Sequence, residues 1–447
     1  MGRLFGTDGV RGVANRDLTG ELAYRLGRAA VVVLAESGKS RPLIAVGRDT
    51  RASGEFLEAA LAAGICSAGG DAVLLGVCTT PGVAFLTQDL EAQAGAVISA
   101  SHNPAEYNGI KFFGSGGYKL PDEAELEIER IVEGDLGPRP AGRGVGRIVV
   151  ARDAGERYIA HLAETANGSL EGLRIVVDCA NGAASGVAPD LLRRLGAEVV
   201  PINAEPDGWN INQGCGSTVP QVAGLAVVKE DADVGVAHDG DADRVMFADH
   251  DGNVIDGDQV LAACARAMHE VGELAQNTVV TTVMANLGFR LAMQEAGIEV
   301  VETKVGDRYV LEEMLRTGAM LGGEQSGHLI FLRHATTGDG LLTAVQFLTL
   351  AQRKGIPVAE LASAMKRFPQ VLVNVSVPNP NSLDDSRPVW EAVAKAEEAL
   401  GGAGRVLVRA SGTEPLIRVM VEAATEEEAR NQAEAISSVV QGLLGRS

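Results

Sequence analysis

The sequence predicts an α/β protein: three related α/β domains with mixed, mainly parallel sheets plus a C-terminal α+β domain, arranged around a central cleft. Three stretches repeat one pattern, in which an apolar strand, a loop rich in Gly, Asn, Ser and Thr, and a helix precede a Gly-x-acid triplet and another apolar strand. Such strand–helix–strand units form parallel sheets with helices on both faces. One large sheet is the weaker alternative, because the copies lie about a hundred residues or more apart, beyond an ordinary crossover.

The repeated units and the segment after them predict these elements in order. The units begin with PLIAVGRDTRASG, LRIVVDCANGAASG and TVVTTVMANLG, and their helices are predicted at 55–68, 187–195 and 289–296. The C-terminal segment differs, with an alternating strand, a helix at 385–400, a strand–loop–strand and a helix at 425–443. Junctions at the Gly/Pro/Arg-rich segment 134–147, near 250–258 and near 366–370 then divide the chain into predicted domains at 1–148, 149–252, 253–367 and 368–447.

The charge balance excludes broad classes of partner. Acidic residues outnumber basic ones by 59 to 39, which gives a formal net charge of −20. A surface this acidic repels nucleic acid and anionic lipid, so we expect neither as a partner. An anionic small molecule can still bind in a local basic pocket, which makes each cluster of Arg or Lys informative.

Cysteine usage and the lack of long apolar runs predict a cytoplasmic protein. The five cysteines form no CxxC pair, and their odd number leaves one unpaired in any disulfide scheme. The start MGRLFGTDGVRG lacks the apolar core of a signal peptide. No apolar run approaches the roughly 18 residues of a membrane-spanning helix. A homodimer is compatible with such folds.

The first candidate loop is ISASHNP, residues 98–104, which ends an apolar strand with two serines. Small neighbours leave the hydroxyl of Ser101 approachable, although spacing does not distinguish Ser101 from Ser99. No GxSxG elbow surrounds the serine, which argues against a hydrolase of that type. Taken alone, the loop reads as an ordinary turn serine bonded to its own backbone.

The second loop, DGDADR, supplies three carboxylates after the apolar strand VGVAH. In an extended segment Asp239, Asp241 and Asp243 would face the same way. Each pair at ~4 Å, with an effective dielectric of ~20, would then cost on the order of 4 kcal/mol unless a cation lay among them. Hard oxygen ligands favour Mg²⁺ or Ca²⁺ over zinc. An EF-hand is excluded because Arg244 stands at the turn-glycine position and His250 at that of the glutamate.

The third loop, LGGEQSGHLIF at 321–331, crowds four kinds of polar group among glycines. Glu324, Gln325, Ser326 and His328 form a set that suits the several hydroxyls of a sugar. A structural turn with a hydrogen-bonded histidine is a comparable alternative for this loop alone.

The fourth loop, RASGTEPLIRVM at 409–420, brackets a Ser-Gly-Thr triplet with two arginines. Guanidinium groups, hydroxyls and glycine-exposed backbone together make a phosphate cradle. A β-hairpin turn with two surface arginines is an equal alternative. The candidate ligands of a phosphate are Arg409, Ser411, Gly412, Thr413 and Arg418.

Together the four loops fit phosphoryl transfer on a phosphosugar, and they resemble the signature loops of one family. SASHNP followed by NGIK, DGDADR, GGEQSGH and RASGTEPLIRV are similar, in order and spacing, to the loops of the α-D-phosphohexomutases. The resemblance covers essentially the whole chain. The opening FGTDGVRG, and Gln325 where relatives commonly carry Glu, most resemble the branch of this family that acts on glucosamine phosphates.

The resemblance implies a mechanism. Ser101, phosphorylated in the resting enzyme, would give its phosphoryl group to the sugar and recover it from a bisphosphorylated intermediate. Lys111 would be the general acid/base, which requires a lowered pKa. The resemblance also places Arg11 at the active site. The resemblance further implies that one Mg²⁺ is held by phosphorylated Ser101, Asp239, Asp241 and Asp243, beside the catalytic Arg244. It implies that Glu324, Ser326 and His328 bind sugar hydroxyls. It also implies that the fourth loop binds the phosphate that does not react.

The implied reaction interconverts glucosamine 6-phosphate and glucosamine 1-phosphate, with a hexosamine bisphosphate as activator, and feeds UDP-N-acetylglucosamine and cell-wall synthesis. Because the bisphosphate must turn end for end without escaping, we expect closure at a hinge near 366–370. Phosphoglucomutase or phosphomannomutase activity is the main alternative. The DxDx[TV]-like run Asp241-x-Asp243-x-Val245 leaves an aspartyl-phosphate phosphatase open, and a non-catalytic sugar-phosphate sensor is a third possibility.

Overall fold

The chain divides into two compact units. The computed structural model describes residues 4–6, 8–35, 41–134, 136–137, 139–411 and 415–445. The first unit comprises Met1–Met284 and Ile298–Ala364, and the second comprises Ala285–Gly297 and Met365–Ser447. Among the described residues, none of the helices combines the length and the apolar character that crossing a bilayer requires.

The first sheet of the first unit contains six strands. Its elements are β1 (Val10–Val13), α1 (Gly20–Ala35), β2 (Leu43–Arg48), α2 (Ala52–Ser67), β3 (Asp71–Val77), α3 (Thr80–Asp89), β4 (Ala94–Ile98), β5 (Tyr107–Gly114), α4 (Asp122–Glu133) and β6 (Ile148–Val150). The strand order is β1-β5-β4-β2-β3-β6, with parallel pairs from β4 to β6 and antiparallel pairs on either side of β5. Every residue of β4, AGAVI, is buried, as expected of a strand covered on both faces.

The second sheet follows the same plan with five strands. Its elements are α5 (Ala154–Glu164), β7 (Arg174–Asp178), α6 (Ala188–Arg194), β8 (Glu198–Ile202), α7 (Gln221–Glu230), β9 (Val234–His238), β10 (Val245–Ala248) and β11 (Val254–Ile255). The order is β11-β10-β9-β7-β8, and β9, β7 and β8 run parallel. The fully buried strand β9 carries the predicted metal loop at its carboxyl end.

The third sheet has four strands. The elements around it are α8 (Gly257–Glu270), β12 (Thr278–Thr282), α9 (Leu287–Glu295), β13 (Glu299–Thr303), α10 (Asp307–Thr317), β14 (Leu321–Gly323), β15 (Leu329–Phe331), α11 (Gly340–Lys354) and α12 (Val358–Ala362). The order is β13-β12-β14-β15, with only the β14–β15 pair antiparallel. Helix α9 connects β12 to β13 along the chain, yet it belongs to the second unit.

The second unit is an α+β domain. Its sheet has the antiparallel order β16-β18-β17. Apolar side chains from the sheet and from the two long helices form its core, among them Val393, Ile417, Val419, Ile436 and Val440. The elements that follow α9 are β16 (Gln370–Ser376), α13 (Arg387–Leu400), β17 (Arg405–Ala410), β18 (Leu416–Glu422) and α14 (Glu426–Leu443).

A buried carboxylate attaches α9 to the sheet of the second unit. Glu422 at the end of β18 is fully buried and accepts the Asn286 side-chain amide at 3.2 Å and the Leu287 backbone amide at 2.9 Å. The packing is close, because a Cβ on Gly288 would lie 1.8 Å from the carbonyl oxygen of Lys366. These contacts explain why α9 packs with the C-terminal sheet.

The predicted fold class is confirmed: three α/β sheets, mixed and mainly parallel, precede an α+β module. The predicted domain limits stay predictions. The first sheet includes β6, at residues 148–150.

Candidate active site

Ser101 lies in the loop after β4, in a constrained backbone conformation. Its φ of +50° is in the left-handed region, which residues other than glycine rarely adopt. The neighbouring Ser99 Oγ donates to Asp49 Oδ2 at 2.6 Å and accepts the Ser101 amide at 3.0 Å. The Ser101 hydroxyl instead donates to Asp239 Oδ2 at 2.8 Å. The two serines that spacing could not separate therefore differ: Ser99 supports the loop, whereas Ser101 contacts the acidic loop.

Arg51 supports this loop, and the sequence analysis missed it. The guanidinium is fully buried and donates from Nε to Asp49 Oδ2 at 2.8 Å. It also donates to the carbonyl oxygens of Ser101, Asn103 and Tyr107 at 2.9, 2.8 and 3.0 Å. The signal was present in the sequence, since Asp49-x-Arg51 follows β2 at the sheet edge where β4 also ends.

The three carboxylates of the second loop converge, but the expected extended geometry was wrong. The loop at 239–243 is a turn, in which Ala242 has a φ of +56°. The turn, rather than side-chain alternation, gathers one oxygen from each carboxylate within 4.8 Å of the others, and all three side chains are buried. Gly240 permits a close approach, because a Cβ there would lie 2.6 Å from the carbonyl oxygen of Ser101.

The donor set fits a hard divalent cation. Oδ1 of Asp241 and Oδ1 of Asp243 are buried and accept no hydrogen bond from the described part of the chain. Burial, together with the charges of Asp243 and Asp241, raises the pKa of Asp239 well above its usual range. Burial also raises the pKa of Asp243, but the hydrogen bond and charge of His328 and the charge of Arg244 outweigh it and lower that pKa. A cation that prefers oxygen ligands would remove this conflict among the carboxylates.

Lys111 projects from β5 towards the acidic loop. Its side chain is 3% exposed, and Nζ lies 3.0 Å from Asp8 Oδ2 and 3.3 Å from Asp241 Oδ2. Burial lowers the pKa of Lys111, but the charges of Asp8 and Asp241 outweigh it and raise that pKa above its usual value. A general base needs the opposite shift. As placed, Lys111 is an ammonium that can donate a proton.

A row of alternating charges continues from Lys111 to the third loop. Asp8 Oδ1 lies 2.9 Å from Lys119 Nζ, which lies 2.5 Å from Asp307 Oδ2. The same oxygen of Asp307 is 3.9 Å from His328 Nε2. No motif in the sequence predicted Asp8, Lys119 or Asp307 as site residues, because only folding brings their three segments together.

The third loop is held by its own polar groups and linked to the acidic loop. Glu324 Oε1 accepts the Gly306 amide at 3.1 Å. His328 Nε2 accepts a backbone amide at 3.1 Å, and its Nδ1 lies 3.5 Å from Asp243 Oδ2. The hydroxyl of Ser326 is buried and has no hydrogen-bond partner among the described residues. Within the described residues, the Ser326 hydroxyl and the buried Nε2 of Gln325 are thus the groups of this loop whose hydrogen-bonding capacity is unused.

Two partly exposed arginines border the carboxylates. Arg244 Nε lies 3.8 Å from Asp243 Oδ1, and the Arg244 side chain is 26% exposed. Arg11 pairs with Asp8 and is 28% exposed. Guanidinium groups at such a border can contact an anion that approaches from solvent.

The predicted phosphate loop lies in the second unit, between β17 and β18. Arg409 and Arg418 are direct partners across the two strands, so like charges face each other. Burial and the charge of Arg418 lower the pKa of Arg409. An anion would relieve that repulsion. Ser411 ends the described part of the loop, and Gly412 and Thr413 lie outside the described residues.

The structure therefore gathers the predicted residues into two groups. In the first unit it brings together Ser101, Lys111, Asp239, Asp241, Asp243, Arg244 and His328, with Glu324 and Ser326 on the loop of His328. In the second unit it places Arg409 opposite Arg418.

Four family models match the chain in succession. They are described as phosphoglucomutase/phosphomannomutase alpha/beta/alpha domain I at residues 2–136, domain II at 156–252, domain III at 256–368 and the C-terminal domain at 372–439. The chain belongs to the phosphoglucomutase/phosphomannomutase family. This membership confirms the resemblance to phosphohexomutases that the four loops indicated.

The relatives of this family member support a closer placement. A phosphoglucosamine mutase from Desulforamulus reducens is 55% identical over 442 residues, which are 98% of this chain and 99% of the relative. Another, from Pelotomaculum thermopropionicum, is 58% identical over 424 residues, 94% and 95% of the two chains. A solved family structure from Burkholderia thailandensis has a TM-score of 0.83 at 24% identity and covers 98% of this chain and 97% of that one. That structure shows the shared fold, and the two relatives confirm the predicted likeness to phosphoglucosamine mutases.

Proposed function

We propose that the chain is a phosphoglucosamine mutase, an isomerase that interconverts glucosamine 6-phosphate and glucosamine 1-phosphate. Relatives of that name match almost its full length. One relationship carries the proposal: the Ser101 hydroxyl lies 2.8 Å from Asp239, at the edge of three converging buried carboxylates. A phosphoryl carrier beside a cation site is what such a reaction requires.

In the proposed reaction Ser101 carries a phosphoryl group between two oxygens of one sugar. In the first half the bond from phosphorus to serine Oγ breaks and a bond from phosphorus to a sugar oxygen forms. The sugar hydroxyl gives up a proton and the serine oxygen gains one. The second half reverses these changes at the other end of the bisphosphorylated sugar. Because Ser101 must enter the cycle phosphorylated, a hexosamine bisphosphate would act as activator.

The residues around Ser101 have complementary proposed roles. Lys111, a buried ammonium 3.0 Å from Asp8, would return a proton to a sugar oxygen. Arg244 would offset the charge of the transferring phosphoryl oxygens. Glu324, Ser326 and His328 would hold sugar hydroxyls. Arg409, Ser411, Gly412, Thr413 and Arg418 would grip the phosphate that does not react.

Asp239, Asp241, Asp243 and phosphorylated Ser101 would hold one Mg²⁺. Bound there, the ion would supply positive charge beside the phosphoryl oxygens. The unpartnered carboxylate oxygens support this assignment. A phosphoserine would add about −1.5 to −2 charges to the same place, which increases the need for a cation. Closure of the C-terminal unit stays a prediction, and the chain divides at Ala364 and Met365, close to the predicted hinge.

Phosphate labelling tests the carrier. Incubation with a labelled hexose bisphosphate should leave a label on the protein that survives hydroxylamine, since a phosphoserine resists it. Ser101→Ala should carry no label and lose mutase activity, whereas Ser99→Ala should still accept label. A label that hydroxylamine removes would indicate an aspartyl phosphate, and the phosphatase alternative would replace this proposal.

A kinetic panel tests the sugar. The wild-type enzyme should turn over glucosamine 6-phosphate with a higher kcat/KM than glucose 6-phosphate or mannose 6-phosphate. Preference for either neutral sugar would overturn the glucosamine assignment and leave the family's other activities in its place.

A further inference from the structure

The proposed substrate, glucosamine 6-phosphate, differs from glucose 6-phosphate and mannose 6-phosphate by one positive charge, the ammonium group at C2. We propose that Asp307 binds this ammonium and sets the preference for an amino sugar. The inference rests on the proposed function and deepens it, because none of the roles predicted for the site residues assigns a partner to the C2 ammonium.

Asp307 lies beside the loop proposed to hold the sugar. It is the first residue of α10, and the preceding Gly306 donates its amide to Glu324 at 3.1 Å. Its Oδ2 lies 3.9 Å from His328 Nε2. The side chain is 24% exposed, so a ligand can reach it. A sugar held by Glu324 and His328 would therefore lie within reach of this carboxylate.

The other carboxylates nearby already have partners or an assigned ligand. The three of the acidic loop are buried and face one another as a cation site. Asp8 contacts three cations, namely Arg11, Lys111 and Lys119. Glu324 Oε1 accepts the amide that holds its own loop to the start of α10, and this side chain is already assigned to sugar hydroxyls.

Among the described residues Asp307 contacts one strong cation, which is shared, and its Oδ1 accepts the Arg308 backbone amide at 2.8 Å. Lys119 Nζ lies 2.5 Å from Asp307 and 2.9 Å from Asp8, so two carboxylates share one ammonium. When a substrate ammonium approaches Asp307, Lys119 keeps its contact with Asp8. Burial raises the pKa of Asp307, but the charge of Lys119 and its hydrogen bond help to outweigh burial and lower that pKa, which keeps the carboxylate ionised.

A neutral hydroxyl and an ammonium at C2 would form hydrogen bonds of different strength with the Asp307 carboxylate. A charge-assisted hydrogen bond is roughly twice as strong as a neutral one. Replacing the carboxylate by an amide should therefore weaken binding of the amino sugar more than binding of a sugar with a hydroxyl at C2.

The test compares two substrates in Asp307→Asn, with the same bisphosphate activator throughout. We expect kcat/KM for glucosamine 6-phosphate to fall about 10- to 100-fold, the range for loss of a hydrogen bond to a charged group, while kcat/KM for glucose 6-phosphate changes less than about 3-fold. The ratio of the two values is the readout. Asp307→Ser, which also removes the charge, should shift the ratio in the same direction, and it replaces the amide variant if that one does not fold.

Matched variants separate recognition from support of the fold. Glu312→Gln removes an exposed carboxylate from the same helix, where it pairs with Arg308, and should leave the ratio unchanged. Asp307→Glu keeps the charge and should retain the preference for glucosamine 6-phosphate. If Asp307→Asn lowers both activities by the same factor, Asp307 is structural and the inference is wrong. If the wild type itself prefers glucose 6-phosphate, the proposed function fails, and the inference fails with it.

Discussion

The carboxylate of Asp8 lies 3.0 Å from the ammonium nitrogen of Lys111, and this contact joins the N-terminal segment to the centre of the site. The other near carboxylate of Lys111 is Asp241, at 3.3 Å. If Asp241 binds a cation, Asp8 becomes the main partner that orients Lys111. Asp8 is therefore a positioning residue in the proposed reaction.

Asp8→Asn should lower kcat about 10- to 100-fold, because small displacements of a catalytic group have effects of this size. KM should change less, since the amide keeps the shape of the side chain. Steady-state kinetics with glucosamine 6-phosphate check this split. Asp17→Asn, in the same segment but half exposed, is the control and should leave both constants unchanged. Equal effects of the two variants would show that Asp8 has no special role.

Arg51→Lys should damage the phosphoryl-carrier loop although it keeps the charge. A lysine cannot reproduce the guanidinium fork that binds Asp49 and several carbonyl oxygens. Disturbing this buried pair should cost about 3 kcal/mol of stability and reduce the phosphate label on Ser101. Urea unfolding and the labelling assay measure the two effects. The exposed Arg16→Lys is the control, and unchanged labelling in Arg51→Lys would contradict the assignment.

Magnesium binding should release protons. The pKa of Asp239 is raised by burial and by its two acidic neighbours, so its carboxyl group retains a proton above its usual range until a cation replaces that proton. Affinity should therefore weaken as pH falls. Calorimetry of Mg²⁺ binding in two buffers of different ionisation enthalpy counts the protons released. Asp241→Asn should abolish binding, and binding without proton release would contradict the assigned electrostatics.

Asp339 should make stability depend on pH in the mildly acidic range. Burial raises its pKa from 3.8 to about 6. The protonated form is favoured in the folded state, so this contribution is complete below pH 3.8 and is lost as pH rises through about 6. Relative to Asp339→Asn, the wild type should lose on the order of 3 kcal/mol between these limits. Urea unfolding at several pH values measures the difference, with the exposed Asp251→Asn as control.

Glu422→Ala should loosen α9. The variant leaves the Leu287 amide without its acceptor and removes one of two acceptors of the Asn286 side-chain amide, which keeps the Phe368 carbonyl at 3.0 Å. We expect a loss of about 2 to 5 kcal/mol for buried hydrogen bonds to a charged group. Hydrogen exchange of the α9 amides should accelerate more than that of β17. Glu426→Ala, an exposed residue paired with Arg430, should not have this effect. Uniform acceleration across the second unit would indicate global destabilisation instead.

The sequence predicted the elements better than their contacts. Strands such as AGAVI and VGVAH read clearly, because continuous apolar runs between glycine-rich loops are typical of buried parallel strands. The acidic loop was found, but its geometry was wrong, since a turn at Ala242 replaces the expected extended segment. The spacing of residues predicts how side chains alternate along a strand. It does not predict where a turn occurs when that depends on the packing of two loops against each other.

Contacts between distant segments could not be predicted from the sequence. Asp8 and Lys119 are 111 positions apart in the sequence, and Lys119 and Asp307 are 188 positions apart. Only the folded chain brings their charges together. Arg51 was missed although Asp49-x-Arg51 is a readable polar pair after β2, because its other hydrogen-bond partners are backbone carbonyls of a distant loop, which the sequence does not identify. The raised pKa of Lys111 likewise follows from neighbours supplied by other segments.

Helix α9 has a consequence for how members of this family can exchange parts. Recombination at a single breakpoint shortly before β16 would take the C-terminal sheet from one parent and the helix fastened to Glu422 from the other. Viable hybrids should therefore inherit residues 285–297 together with 365–447. In this chain the unit that must be inherited together therefore consists of two segments that are separate in the sequence.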